Sequence, residues 1–362
     1  MANHKLQNYL TLSCFGKVGP RSFDKIAAFF DVDSLSIRKI HTAELLSAGL
    51  KPETALELIQ FIDQFNFDDE FSKLNKLGIT LISRQSNHYP EMLKEVSDSP
   101  FILYVMGEST VLSGLNLAVV GSRKHTHYGK QVLEKFIPDL VSCGVQIVSG
   151  LAYGIDAIAH KLTLAAEGTT IAVIGSGLDN IYPTDNRALA ESILQNGGAI
   201  ISEYPLGTAP LKQHFPARNR IISGISRGTL VVECDIKSGA MITAHHTIEQ
   251  NREVFALPGQ ITSISSMGPN SLIKMGAKPI TEAKDIVESF DLRWQGGKEQ
   301  LIISPVTDNE KQIYDLIGTS PLHVDIIVEQ SKLKSDEVGS TLLFLEMKGL
   351  IRNIGAANYV RR

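Results

Sequence analysis

Cysteine is scarce in this chain. Only Cys14, Cys143 and Cys234 occur in 362 residues, and they lie far apart. That spacing argues against a disulfide framework and against a cysteine-built metal site. Apolar surroundings at two of the three predict buried, reduced thiols. The opening residues MANHKLQNYLTLSC lack the apolar core of a secretion signal, and no run approaches the roughly eighteen apolar residues of a membrane span. The expected setting is cytoplasmic, with no membrane partner. Positive charge is not in excess either: 35 Lys and Arg stand against 39 Asp and Glu, a net charge of -4. Such a balance argues against coating duplex DNA by bulk charge, though it leaves room for a local basic groove. Nucleotide-binding glycine signatures are also missing. Gly129-Lys130 is followed by Gln131, so there is no P-loop. Neither Gly121-Ser122-Arg123-Lys124-His125-Thr126 nor Gly175-Ser176-Gly177-Leu178-Asp179-Asn180 completes G-x-G-x-x-G. No cofactor and no metal are expected.

What the chain does have is a substantial core, with 43% hydrophobic and 20% charged residues, and a length that suggests two or three domains. The pattern divides it into residues 1–75, 76–295 and 296–362. The first part is helix-like and carries two turn signals, Gly16-Lys17-Val18-Gly19-Pro20-Arg21 and Ala48-Gly49-Leu50-Lys51-Pro52-Glu53. Each resembles the hairpin of a helix-hairpin-helix module, although Lys17 replaces the leading glycine of the first. We read this part as a small helical interaction module, ahead of the alternative of a duplex-binding one. The middle part alternates apolar strand-like runs (Leu117–Gly121, Val145–Ser149, Thr170–Ile174, Ala199–Ser202, Thr229–Glu233) with amphipathic stretches such as Gly129–Val141 and Thr184–Gln195. Continuous apolar strands between helices predict an α/β fold, a Rossmann-like doubly wound parallel sheet covered on both faces. Ligands on such sheets sit beyond the carboxyl ends of the strands, where the chain places its glycines. After a linker at Gly296–Gln300, residues 308–362 predict three helices and a hairpin within Asn353–Val360, a winged-helix pattern.

Charge then singles out one stretch. No acidic residue occurs between Tyr204 and Val232, while Lys212, Arg218, Arg220 and Arg227 all do. Guanidinium forks and the Asn219 amide suit phosphate oxygens, and the Phe215 ring suits a nucleobase face. A second basic window, Arg123, Lys124 and Lys130, also follows a strand of the same sheet, so the two windows are expected to form one positive groove. Asp156 and His160 share a helix face four residues apart, where Asp156 suits the helix N-terminus and is expected to bond His160. The Gly-x-Ser-x-Gly match at Gly224–Gly228 leads into a strand, which argues against a nucleophile elbow.

In order along the chain, these motifs resemble the DprA (Smf) family of bacterial DNA-processing proteins. The resemblance runs through Ala118–Arg123, Tyr128-Gly129, Ser149–Asp156 with Ala159-His160, Gly177–Asp179 with Tyr182-Pro183, Ser202-Glu203 and Phe215–Ile222. It closes with Val232-Glu233, Ser238-Gly239, Thr243-Ala244, Arg252–Val254 and Pro258-Gly259. Membership implies a Rossmann-like domain that binds and protects single-stranded DNA, forms a homodimer and loads the RecA recombinase in natural transformation. It implies no catalysis. Gly121, Ser122, Arg123 and Gly150 are then expected to line the pocket. Lys212, Phe215, Arg218, Asn219 and Arg220 supply cations, a stacking face and a donor. Replacing Arg123 or Arg218 by alanine is expected to weaken binding with the fold intact. The run Ala240–Ala244 is the expected pairing helix. Two other readings are a nucleotide hydrolase using Glu233 and a duplex-DNA regulator acting through residues 308–362.

Overall fold

The computed structural model describes residues 2–292, 294, 307–318 and 320–361. The chain separates into two compact units, residues 1–296 and 297–362. The expected linker Gly296–Gln300 lies outside the described residues.

Unit one begins with five helices: α1 (Ala2–Phe15), α2 (Pro20–Phe29), α3 (Thr42–Ser47), α4 (Pro52–Gln64) and α5 (Phe67–Lys76). Both turn signals end one helix and start the next. Pro20 and Pro52 open α2 and α4 at positions where a missing N–H matters least. These helices do not stand apart from the sheet. Phe23 stacks on Phe101 with ring centroids 4.3 Å apart, and the Tyr104 hydroxyl donates to Ser13 Oγ at 2.9 Å. Tyr9, Phe23 and Leu58 share one hydrophobic cluster with Ile102, Tyr104 and Ile200 of the sheet.

That sheet has nine strands: β1 (Ile79–Ser83), β2 (Ile102–Gly107), β3 (Asn116–Val120), β4 (Gln146–Ser149), β5 (Thr170–Val173), β6 (Ala199–Ser202), β7 (Gly228–Val231), β8 (Glu253–Ala256) and β9 (Lys278–Pro279). Their order is β1-β2-β6-β5-β4-β3-β7-β8-β9. Pairing is parallel from β6 across to β9, and β2 runs antiparallel to both β1 and β6. The helices α6 (Glu91–Lys94), α7 (His127–Ser142), α8 (Ile155–Ala165), α9 (Arg187–Gln195), α10 (His214–Gly224), α11 (Gly239–Glu249), α12 (Ile264–Lys274) and α13 (Lys284–Ser289) complete the unit. Two-residue periodicity sends alternate side chains of β3 to opposite cores. Ala118 and Val120 pack with Ile221, Ile222, Ala244 and Leu272. Leu117 and Val119 pack with Leu133, Phe136 and Ala159. Helices therefore cover both faces, as the continuous apolar strands predict. Within the expected pairing run, Ala240, Met241, Thr243 and Ala244 are buried in this core and only Ile242 reaches the surface.

Unit two is a winged helix. Its helices are α14 (Asp308–Leu316), α15 (Val324–Ser331) and α16 (Ser335–Met347), and its strands are β10 (Leu322–His323), β11 (Ile351–Asn353) and β12 (Asn358–Arg361). Strands β11 and β12 form the antiparallel hairpin that the sequence predicts, and β10 adds to its edge. Ile313, Ile327, Val338, Leu342 and Leu345 fill the core.

Candidate nucleic-acid interface

Strand order reverses between β3 and β7, and the connections leaving those two strands diverge to opposite sides. An open sheet offers its ligand crevice at that switch point. Here a groove of about 790 Å³ opens there, walled by the turn after β3 and by the first turns of α10 and α11. Gly121 begins the turn because no side chain fits: a Cβ would lie 2.6 Å from Ile155 Cγ1 and 2.9 Å from the Glu233 carbonyl oxygen. Ser122 then braces the turn. Its hydroxyl donates to the Lys124 carbonyl at 2.9 Å and accepts from the Lys124 N–H at 3.0 Å. Arg123 and Lys124 are thereby held as exposed side chains on the groove wall.

The opposite wall is α10. Pro216 falls within its first turn, where no intrahelical N–H is lost, so the helix starts at His214. Lys212 precedes it, exposed on the groove. Phe215 lies half-buried, with the Arg123 guanidinium 5.9 Å from its ring centroid and the Tyr182 ring centroid 5.6 Å away. Tyr182 is 41% exposed and lines the same groove.

Arg218 forms the floor and is only 5% exposed. Its Nε donates to Asn219 Oδ1 at 3.2 Å, and its Nη1 donates to the Gly150 carbonyl at 2.8 Å and to the Val173 carbonyl. Those carbonyls lie at the carboxyl ends of β4 and β5, so the guanidinium staples two strand ends. Gly150 is glycine for this reason: a Cβ there would meet Arg218 Nη2 at 2.6 Å and Asp156 Oδ2 at 2.7 Å. Among the described residues Nη2 makes no hydrogen bond and is not sealed off, which leaves one charged donor for the groove. Burial lowers the Arg218 pKa to about 10, opposed by the Asp156 carboxylate and helped by nearby Arg123. The side chain stays charged at neutral pH. Asp156 is raised by its own burial, held back first by Arg218 and then by the N–H groups of Ala152 and Gly150.

The remaining expected residues are placed differently. Arg220 turns away from the groove and is bound bidentately by Glu203, at 2.7 and 2.6 Å, with Asp98 3.2 Å from Nε. Asn219 is engaged at both ends, accepting from Arg218 and donating to the Gly239 carbonyl at 3.2 Å. Arg227 lies beside Phe290 at the other end of β7, donating to its carbonyl. Lys130 pairs with Glu134 one helical turn on. The two basic windows thus meet, but through Arg123, Lys124, Lys212 and Arg218. Tyr182 is the groove aromatic that charge counting passes over, since its only signal is its place in the Tyr182-Pro183 motif. Asp235 also lines the groove and sets one carboxylate against the cations.

Asp156 and His160 do not bond each other. Asp156 Oδ2 accepts from the Gly150 N–H at 3.1 Å, and His160 Nδ1 lies 2.7 Å from Thr170 Oγ1. Because the Thr170 hydroxyl donates to the Ile147 carbonyl, its oxygen accepts from Nδ1–H of a neutral imidazole. Glu233, the acid of the hydrolase reading, holds the entry of α7: its carboxylate accepts from the Thr126 N–H at 2.9 Å and from the Thr126 hydroxyl.

Four cations, the buried Arg218 among them with one free donor edge, and two aromatic rings on an open groove suit a flexible, stacked polyanion. Residues 80–291 match the family described as DNA recombination-mediator protein A, and residues 299–355 match the DprA winged helix domain. The Escherichia coli protein Smf is 43% identical over 329 residues, which cover 89% of this chain and 87% of that one. DNA processing protein DprA of Bacillus subtilis is 45% identical over 217 residues, covering 60% and 73% of the two chains. The X-ray structure of DprA from Streptococcus pneumoniae superposes with a TM-score of 0.69 at 36% identity, covering 78% of this chain and 97% of that one. DNA processing protein A from Helicobacter pylori, whose structure is described for its single-stranded DNA binding mode, superposes with a TM-score of 0.54 at 32% identity over 59% and 97%.

Proposed function

Since this chain belongs to the DprA (Smf) family of DNA-processing proteins, we propose that it binds single-stranded DNA along the groove between the β3 turn and α10. The observation that carries this reading is the convergence of Arg123, Lys124, Lys212 and the open Nη2 of Arg218 around Phe215 and Tyr182. The cations neutralise backbone phosphates, and the rings stack bases with little regard to sequence. Gly121 and Gly150 let the backbone and the buried guanidinium approach the strand closely. The test is fluorescence anisotropy with a labelled oligothymidylate, with a duplex competitor, across a salt series. Four phosphate contacts give a log–log salt slope of about -3, at about 0.7 per contact for single strands. No binding at low salt, or preference for the duplex, discards the reading.

Protection of the strand and loading of the RecA recombinase follow from the family resemblance and rest on the same groove. A strand bound lengthwise has its phosphates covered, so nuclease digestion should slow in proportion to occupancy. Recombinase filament growth on the protected strand measures the loading step. Pairing of two copies is supported by exposed apolar side chains near α11 and α12, with Ile242 and Ile248 on one and Ile264 and Met267 on the other. Sedimentation of the intact chain across concentrations tests it.

We propose a binding role without catalysis. Glu233 is occupied by the Thr126 backbone and hydroxyl, which leaves it poorly placed to act as an acid on a nucleotide. Release of free base from nucleoside monophosphates would overturn this. A duplex-reading role for the winged helix is disfavoured by α16, which runs Ser335–Met347 with three acids and no Lys or Arg.

A further inference from the structure

We infer that the single strand leaving the groove crosses the first turn of α10 and enters a second cleft, where the hairpin joining α1 and α2 receives the next nucleotides. This inference rests on the single-strand reading of the groove and extends its footprint to the N-terminal helices. The cleft has a volume of about 960 Å³ and lies between that hairpin and the loop after β6. It adjoins the groove at Pro216. Pro216 lines both, Phe215 faces the groove, and His214 and Ala217 face the cleft. A chain passing over Pro216 therefore meets a stacking ring on each side.

The ring on the cleft side is His214, stacked on Tyr204 with centroids 4.2 Å apart and planes 23° apart. Both side chains are half-buried, and His214 Nδ1 has no hydrogen-bond partner among the described residues. The facing wall carries Arg21, an exposed cation with no ion pair among the described residues. Its neighbour Lys17 is committed to Glu57 at 2.6 Å. Acids are present but spent: Glu203 and Asp98 are both paired with Arg220 in the cleft floor. The fixed charges of Arg21 and Arg220 thus balance those of Asp98 and Glu203. Such a site favours bases and one phosphate over a dense polyanion. It also explains why the first turn signal departs from a duplex-binding hairpin, since one cation and an aromatic pair suit a single strand.

Anisotropy with oligothymidylates of about 6 and about 20 nucleotides separates the cleft from the groove, because a short strand fills one stacking site and a long one spans both. Parent protein should bind the longer strand roughly tenfold more tightly per site, the gain expected of one added stacked base. Arg21→Glu and Tyr204→Ala should each remove most of that gain and leave the short-strand affinity unchanged, which also reports that the protein is folded. Photo-cross-linking from 4-thiothymidine stepped along the longer strand should label first the peptide containing Phe215 and then peptides containing Tyr204 or Gly16–Ser22. An unchanged length dependence in both variants overturns the inference, as do cross-links beyond the groove that map elsewhere. Failure of the groove itself reads differently, as no short-strand binding by the parent and no effect of Arg123→Ala.

Discussion

Arg218 and Asp156 are buried together at the carboxyl ends of β4 and β5, and each sustains the charge of the other. The carboxylate opposes the desolvation that pulls Arg218 down, and the guanidinium opposes the desolvation that pushes Asp156 up. Three of the guanidinium hydrogen bonds go to protein oxygens. A residue that charge alone marks as a ligand contact is thus first a structural fastener, and it offers the strand only its remaining edge.

Arg218→Ala is therefore expected to destabilise the fold as well as weaken binding. Removing the guanidinium leaves the buried Gly150 and Val173 carbonyls without that donor and the Asp156 carboxylate without its nearby countercharge, at about 1–3 kcal/mol for each buried polar group left unsatisfied. A thermal melt should show a large fall in midpoint for Arg218→Ala. Arg218→Met combined with Asp156→Asn should recover part of it without restoring strand affinity. A melt for Arg218→Ala that matches the parent would refute the fastener role.

Arg123→Ala isolates binding from folding. Arg123 is exposed on the groove wall, and its contacts are the Phe215 ring and solvent. The variant should melt like the parent, bind strands of any sequence more weakly, and lower the salt slope by about 0.7. A slope unchanged within error would show that Arg123 touches no phosphate.

Arg220→Ala should behave in the opposite way. Its bidentate pairing with Glu203 is buried, and it faces the cleft floor rather than the groove. Loss of about 3–5 kcal/mol of stability is expected, while short-strand affinity per folded molecule stays at the parent value. A binding defect in folded Arg220→Ala protein would return this residue to the interface.

These contrasts show how far the sequence carries. The parallel core is legible because strands buried on both faces must be apolar throughout, as in Leu117–Val120 and Thr170–Val173. Strand β9, the two-residue Lys278–Pro279, has no such pattern, and β1 and β2 precede the repeating strand-helix units. The groove is legible as a cluster of cations after strands. What no charge count resolves is direction: Arg218, Asn219 and Arg220 are consecutive, so on a helix they point about 100° apart. One reaches the floor, one ties α10 to α11, and one meets Glu203. Burial of the three is hidden because what they meet is remote in sequence: Gly150, Val173 and the nearby Asp156 for Arg218, Gly239 for Asn219, and Glu203 and Asp98 for Arg220. Tyr182 carries no charge and no periodic signal, and only the fold brings its ring to Phe215.

Phe215→Ala should reduce strand affinity by about 1–3 kcal/mol, the range for one stacked base, with little change in the salt slope because no charge is lost. Tyr182→Ala should give a smaller loss of the same kind, since it shares the platform. Phe215→Tyr should retain most of the affinity. Anisotropy at two salt concentrations checks all three. A steep change in slope on removing either ring would mean that the cations, not the bases, had been disturbed.

His160 gives the fold an acid limit. Burial, with Arg218 nearby, lowers its pKa from 6.5 to about 3, so the folded protein holds it neutral and donating from Nδ1 to Thr170. The unfolded chain binds a proton near pH 6.5 and the folded one does not. Stability is therefore full above that pH and declines as pH falls from 6.5 towards 3. The slope from this one group is about 1.4 kcal/mol per pH unit. Thermal melts between pH 7 and about 4.5 should show this decline in the parent. His160→Leu, which fills the same buried space with a group that cannot titrate, should flatten it even if the variant is less stable at pH 7. Parallel declines in parent and variant would assign the acid sensitivity to other groups.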